Sequence, residues 1–312
     1  MTSPAQDSIA ASTDATAVPS AVPAAGAGPG TAVAAGAAKR EPAPERAALL
    51  FAGAADLYAA YRPQYPDEAF DHLARTLGLG PASRVLDVGC GPGTISLPLS
   101  ARVGAVVAVD PSPEMLATAR RHAADRGVAS ISFHQGRAED LPGLPLGRVD
   151  HAVFGRSFHW TDRAAVAGIL AALLPEDGAI VLFTSAGAES RRRPWQPVVE
   201  PVRAAFLGER GSPEDPRSGL SREPHDEVLA AGPFSQIERT LFVAHKQYSL
   251  DQVVGLQTTF SYSTPRLLGD RVEEYTTAVR QAVLDGLGEG PYSVEEGTEV
   301  LIARRPGAAA AS

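Results

Sequence analysis

The residues best placed to do chemistry lie in the run VLDVGCGPGT, Val85 to Thr94. A β-branched stretch leads into a loop with glycine at every second position, Gly89, Gly91 and Gly93, and then into a helical pattern. Such glycines let the backbone turn sharply and approach a ligand closely. The acid inside the motif decides which ligand. Asp87 stands two residues before Gly89, beside the space where a dinucleotide would lodge its doubly negative pyrophosphate, and a carboxylate there repels that group. The dinucleotide fingerprint also wants a third glycine where this chain has Thr94. The motif therefore argues against a nicotinamide-dependent oxidoreductase and for a ligand with positive charge beside the loop.

S-adenosylmethionine is such a ligand, with no phosphate and with a sulfonium and an ammonium on its methionine half. Asp87, Gly89, Gly91 and Gly93 resemble the D-x-G-x-G-x-G first motif of class I methyltransferases, and the resemblance runs from about Phe51 to the end of the chain. It implies S-adenosylmethionine as cofactor. It also implies an α/β, Rossmann-like fold: a seven-stranded, mostly parallel sheet with helices on both faces and a late helical insertion forming a lid. Asp110, 21 residues after Gly89 at the end of the second expected strand, can accept hydrogen bonds from both ribose hydroxyls. Met115 in PSPEML would lie near the adenine, or serve only as core filler. The segment GRAEDLP, Gly136 to Pro142, resembles G-D-A-E-D-L-P of the family, but Arg137 replaces the usual Asp, so only Ala138 and Glu139 carry over as adenine contacts. Phe154 completes the expected cofactor residues. Two further segments, YAAYRPQYP (Tyr58 to Pro66) and FGRSFHWTD (Phe154 to Asp162), are similar to trans-aconitate methyltransferase-like enzymes and bacterial methyltransferases of specialised metabolism. That similarity places Tyr58 and Arg62 over the pocket as candidates to hold the cofactor carboxylate. The plainer alternative for Arg62 is a surface ion pair.

Methyl transfer is an in-line displacement on an already activated methyl group, so the main task is holding the nucleophile about 3 Å away and in line. A base is secondary, worth roughly 10² to 10⁴-fold. His159 is the candidate base because it follows the carboxyl end of the fourth expected strand, where open α/β sheets form their ligand crevice, and because neutral imidazole accepts a proton near pH 7. Its alternative role is to pack with Trp160 and supply shape alone. Trp160, His225 and Tyr262 are the candidate substrate contacts. The hydroxyl-dense TTFSYST, Thr258 to Thr264, suits a polar substrate wall or an ordinary turn.

These residues need a frame to bring them together. Arg84–Val88, Ala105–Asp110, Ser130–Gln135, Val149–Phe154 and Ala179–Thr184 read as five strands, followed by a sixth at Ile237–His245 and a last at Glu299–Ala303. Ser112 to Arg126 opens with a Ser-Pro-x-Glu start signal and reads as a helix. Thr161 and Asp162 start another, which stops at Pro175. Five strand-helix units in succession are the signature of a sheet wrapped by helices. Asp251 to Gly286 reads as largely helical with a break at Pro265. Residues 1–45 are nearly all Ala, Pro, Gly, Ser, Thr and Val, a composition that cannot bury a core and reads as a disordered tail. The methyltransferase domain is expected over 46–305, with 185–233 and 246–290 as insertions or lid segments and 306–312 as a disordered end. The Arg191 to Arg193 run reads as a solvated turn rather than an anion site.

Composition narrows the partners. Hydrophobic residues make up 44% of the chain and no apolar run approaches the ~20 residues of a membrane span, so no membrane partner is expected. The net charge of −8 lacks the positive footprint that phosphate backbones require, and the Asp/Asn-Pro-Pro-Tyr motif of exocyclic-amine methyltransferases is missing, so a nucleic-acid substrate is disfavoured. The lone Cys90 forms no internal disulfide and no thiolate zinc site. With no export signal, the cytoplasm is the expected compartment, and no metal is expected. The acceptor expected from the resemblance is a polar small molecule methylated on nitrogen or oxygen, with an amine-rich sugar of antibiotic-type metabolism as leading guess. A small acid methylated on its carboxyl group is the alternative, and a non-catalytic binding scaffold is the alternative from another class.

Overall fold

A computed structural model describes residues 49–185, 193–208 and 223–307. All of these belong to one unit, Glu41–Ser312. The expected tail, residues 186–192 of the insertion with most of the arginine run, residues 209–222 and the last five residues lie outside the described residues.

Seven strands form one sheet in the order β3-β2-β1-β4-β5-β7-β6. β1 (Arg84–Val88) is central and pairs in parallel with β2 (Ala105–Asp110) and β4 (His151–Gly155). β3 (Ile131–Gln135) and β5 (Ala179–Ser185) extend the parallel part. β7 (Tyr292–Arg304) and β6 (Gln236–Tyr248) close the other edge as an antiparallel pair. The strand order reverses between β1 and β4, and that switch point is where open parallel sheets leave a crevice at their carboxyl ends. The central strands are buried on both faces: Val85, Leu86, Val106, Val107 and Ala152 are 0% exposed. This is why they read as mostly apolar runs rather than alternating ones.

Helices α1 (Ala55–Tyr61) and α2 (Asp67–Leu77) precede the sheet, and α3 (Ser96–Leu99) is one short turn after β1. The expected Ser112 start is observed: α4 (Pro113–Asp125) is capped by the Ser112 side chain, which accepts from the Met115 amide. α5 (Arg163–Leu173) is capped likewise by Asp162, whose side chain accepts from the Ala165 amide. The five-unit reading needs correction between β3 and β4. That crossover holds only a 3-10 turn, Ala138–Gly143, with Pro142 inside it, because proline removes the amide that a longer helix would need.

The late region departs further from expectation. The insertion after β5 contains an amphipathic helix, α6 (Gln196–Leu207), and a short α7 (His225–Ala230). The region expected to be helical over 251–286 breaks at Thr258, ahead of Pro265, giving α8 (Leu250–Gln257), a loop, α9 (Pro265–Leu268) and α10 (Val272–Leu287). β7 starts seven residues before the expected Glu299, at Tyr292. Trp195, Val199, Tyr248, Val253, Tyr275 and Val279 form a hydrophobic cluster separate from the two that flank the sheet. α6, α8 and α10 therefore have a core of their own beside the carboxyl ends of the strands.

Candidate functional site

A cavity of about 1380 Å³ opens at the switch point. Its floor is the glycine loop. Gly89, Gly91 and Gly93 all have positive φ (69°, 54° and 90°), which side chains other than glycine rarely adopt. A Cβ on Gly89 would also lie 2.5 Å from the Ser157 Cβ, whereas one on Gly91 would meet nothing. Gly91 therefore presents bare backbone to the open space, the arrangement a closely approaching ligand needs.

Asp87 and Asp110 face this floor from β1 and β2. Asp87 Oδ2 accepts from the Ser96 hydroxyl at 2.5 Å, while its other oxygen is buried without a hydrogen-bond partner. Burial pushes its carboxyl up to about 7; the Ser96 hydrogen bond works against that, and Asp110 adds to it. Asp110 accepts from the amides of Gly91 and Ser112, each at 2.8 Å, and burial raises it to about 6 against those bonds. An orphaned buried oxygen costs roughly 1 to 3 kcal/mol, and two buried acids raised together mark a place that lacks positive charge. A cationic ligand beside Asp87 supplies it. The residues present therefore fit S-adenosylmethionine and oppose a pyrophosphate.

Met115, Ala138, Tyr58 and Arg62 also line the cavity. Arg62 donates to the Thr259 carbonyl at 2.8 Å and its guanidinium lies over the rings of Tyr58 and Phe260, 5.1 and 4.5 Å from their centroids. The alternative of a surface ion pair for Arg62 is thereby corrected: the side chain is drawn inward between two rings. Three expected cofactor residues do not reach the cavity. Gly93 is not among the lining residues; a Cβ there would come within 3.2 Å of Leu97 and 3.6 Å of Ala119. Phe154 is 1% exposed and packs on Phe158 in the sheet core, because alternate residues of a strand face opposite sides of the sheet. Glu139 accepts from the Asp162 amide at 2.9 Å, so it ties the 3-10 turn to the start of α5.

His159, Trp160, His225 and Tyr262 all line the cavity. His159 and His225 stack at 6.3 Å and 19°. Burial, with His225, Arg163 and Arg62, pushes the His159 imidazole down to about 3, which leaves it neutral at pH 7 but a poor proton acceptor. Arg163, 6% exposed, donates to His225 Nδ1 at 3.0 Å and to the Glu223 carbonyl at 2.7 Å. A guanidinium only donates, so Nδ1 carries the lone pair and the His225 proton is on Nε2.

Sequence reasoning missed Tyr65, Arg156, Arg193, Arg203 and Phe260 as cavity residues. Arg156 had a signal, since it lies in FGRSFHWTD directly after β4; it adopts a left-handed φ of 56° and donates to the Tyr65 hydroxyl and the Pro63 carbonyl, both at 2.9 Å. Arg193, the one described residue of the arginine run expected to be a solvated turn, instead lines the cavity and meets Glu296 at 3.0 Å, and Arg203 lies in the insertion, where no motif or spacing marks it.

Residues 85–178 match the methyltransferase domain family. An uncharacterized methyltransferase of Mycobacterium tuberculosis is 38% identical over 134 residues, covering 43% of this chain. The chain spans about half the length of that curated relative, 51%. The ubiquinone biosynthesis O-methyltransferase of Azorhizobium caulinodans is 47% identical over 73 residues, 23% of this chain and 28% of that one. Among solved structures, a candidate type II methyltransferase of Anaeromyxobacter dehalogenans superposes with a TM-score of 0.54 at 24% identity, over 78% of this chain and 98% of that one. A [4+2]-cyclase superposes with a TM-score of 0.50 at 17% identity, over 85% and 97%. Among the described residues no helix is long and apolar enough to cross a membrane.

Proposed function

We propose that the chain is an S-adenosylmethionine-dependent methyltransferase acting on oxygen or nitrogen of a polar small molecule in the cytoplasm. The observation that carries this reading is one cavity with an acidic, glycine-lined floor and space to spare. Its volume of about 1380 Å³ exceeds the roughly 300–1,000 Å³ of sites built for one ligand, so cofactor and acceptor fit side by side. When bound, the cofactor supplies an activated methyl group. Asp87 would offset its positive charge, Asp110 would hold the ribose hydroxyls, and Met115 and Ala138 would border the adenine. The chain's remaining task is to orient the acceptor and exclude water, and Trp160 and Tyr262 form walls suited to that.

A second reading, carboxyl methylation of a small acid, is favoured by the two histidines. His159 is a weak base and the His225 Nδ1 lone pair is occupied by Arg163. A carboxylate acceptor arrives already deprotonated and needs neither. An amine-rich sugar needs a proton removed before its nitrogen can attack. A fold shared with a [4+2]-cyclase keeps a non-methylating binding protein as the rival from another class.

The test is calorimetric titration with S-adenosylmethionine, S-adenosylhomocysteine and NAD, followed by a mass screen of polar metabolites for a gain of one methyl. Binding of the first two, lost in Asp87→Ala, is expected; binding of NAD alone would overturn the assignment. Cofactor binding with no turnover across the screen would favour the scaffold.

A further inference from the structure

The far lobe of the cavity carries charge opposite to that of its floor. Apart from Asp87, Asp110 and Arg137 around the floor, the charged residues of the cavity's described lining are Arg62, Arg156, Arg193 and Arg203 against Glu200 and Glu296, four cations to two acids in a chain whose net charge is −8. Three of these guanidiniums surround one two-ring stack. The rings of Phe260 and Tyr262 stack with centroids 5.2 Å apart and planes nearly parallel at 3°. Arg62 sits over Phe260 at 4.5 Å, Arg193 over the same ring at 5.8 Å, and Arg203 over Tyr262 at 5.0 Å.

Two details show how weakly that surplus is neutralised among the described residues. Glu296 is shared: it meets Arg193 at 3.0 Å, Lys246 at 3.4 Å and the Tyr248 hydroxyl at 2.6 Å, so one acid serves two cations. Arg203 is 7% exposed and, among the described residues, its Nε is buried without a hydrogen-bond partner and its ion pair is to Glu200, whose side chain is 55% exposed and screened by solvent. His225 adds a donor rather than an acceptor to the same cavity, since its proton is on Nε2.

We infer that the acceptor carries an anionic group, a carboxylate or a phosphate, bound in a subsite formed by Arg193 and Arg203 around the Phe260–Tyr262 stack. This rests on the proposed methyl transfer, in which the cofactor occupies the floor. Guanidiniums held over rings are positioned to grip carboxylate and phosphate oxygens. A protonated aminosugar would meet like charge there, so the subsite argues against the amine-rich acceptor.

Both tryptophans of the chain, Trp160 and Trp195, line the cavity, so intrinsic fluorescence reads occupancy. The protein is saturated with S-adenosylhomocysteine and titrated with benzoate, phenyl phosphate, benzamide and benzylamine, one ring with four head groups. Benzoate or phenyl phosphate is expected to bind about tenfold more tightly than benzamide, and whichever leads identifies the anion. Arg203→Gln and Arg193→Gln should each weaken that anion at least about tenfold, and Arg203→Lys should weaken it less. Equal binding of the four compounds, preference for benzylamine, or an unchanged anion affinity in both glutamine variants would sink the subsite while leaving the methyltransferase reading intact. Failure of the wild-type protein to take up S-adenosylhomocysteine in the first step would sink that reading instead.

Discussion

At the scale of single residues, Asp87 combines a conformational and an electrostatic role, and pH separates them. A carboxyl raised to about 7 is largely protonated at pH 6 and cannot attract a cation, so cofactor affinity should climb between pH 6 and 7 and level off above, by up to about tenfold per unit where a proton must be released. Calorimetry at pH 6, 7 and 8 checks this, and Asp87→Asn should bind weakly at all three. The unliganded protein should show the opposite trend. From about pH 4, the unfolded value, up to about 7, the unfolded chain has already lost a proton that the folded one keeps. Stability is therefore fullest below that window and declines as pH rises through it, and urea unfolding of Asp87→Asn should show a flatter profile. For His159 the expectation is negative: with an imidazole pushed down to about 3, His159→Gln should reduce kcat less than about tenfold and leave its pH profile between 5 and 8 unmoved. A limb near pH 6.5 that vanishes in the variant would instead establish His159 as the base.

At the scale of elements, the strands and caps of the parallel half were legible because their causes are local. Val85 to Val88, apolar apart from Asp87, and Ala105 to Val109 are short runs bounded by turns, and Ser112 and Asp162 cap helices through side-chain bonds to amides three residues on. Asp162→Ala removes such a bond but keeps the backbone amide through which Glu139 holds the start of α5; it should cost about 1 kcal/mol, measurable as a lower urea midpoint with an unchanged slope. Where the causes are distant, the sequence was silent. Only the first four residues of β7 alternate buried and exposed positions, and the seven residues ahead of Glu299 are strand because β6 pairs with β7 along its whole length, Gln236 to Tyr248. Phe154 was misplaced because its neighbours identify the strand without fixing which face each side chain takes. Arg193 and Arg203 became site residues only through the ring stack they share, and no spacing in the chain announces a contact between residues so far apart.

At the scale of the molecule, the cavity is closed by segments from three distant stretches of chain. α1 and α8 meet closely: a Cβ on Gly255 would come within 2.5 Å of the Tyr61 ring. Gly255→Ala must move that ring, at a cost of roughly 1 to 3 kcal/mol, and should lower the melting temperature and raise the acceptor KM more than the cofactor Kd. The floor and the far lobe also rest on different supports. The first belongs to the sheet and its flanking clusters, the second to the separate cluster around Trp195, Tyr248 and Tyr275. Because little of the lobe's packing runs through the strands that carry the glycine loop, substitutions in α6 and the Phe260–Tyr262 loop can exchange one acceptor for another while the donor half stays as it is. A chain divided in this way is a suitable parent for engineered enzymes of altered acceptor range, with randomisation confined to residues 193–208 and 257–264.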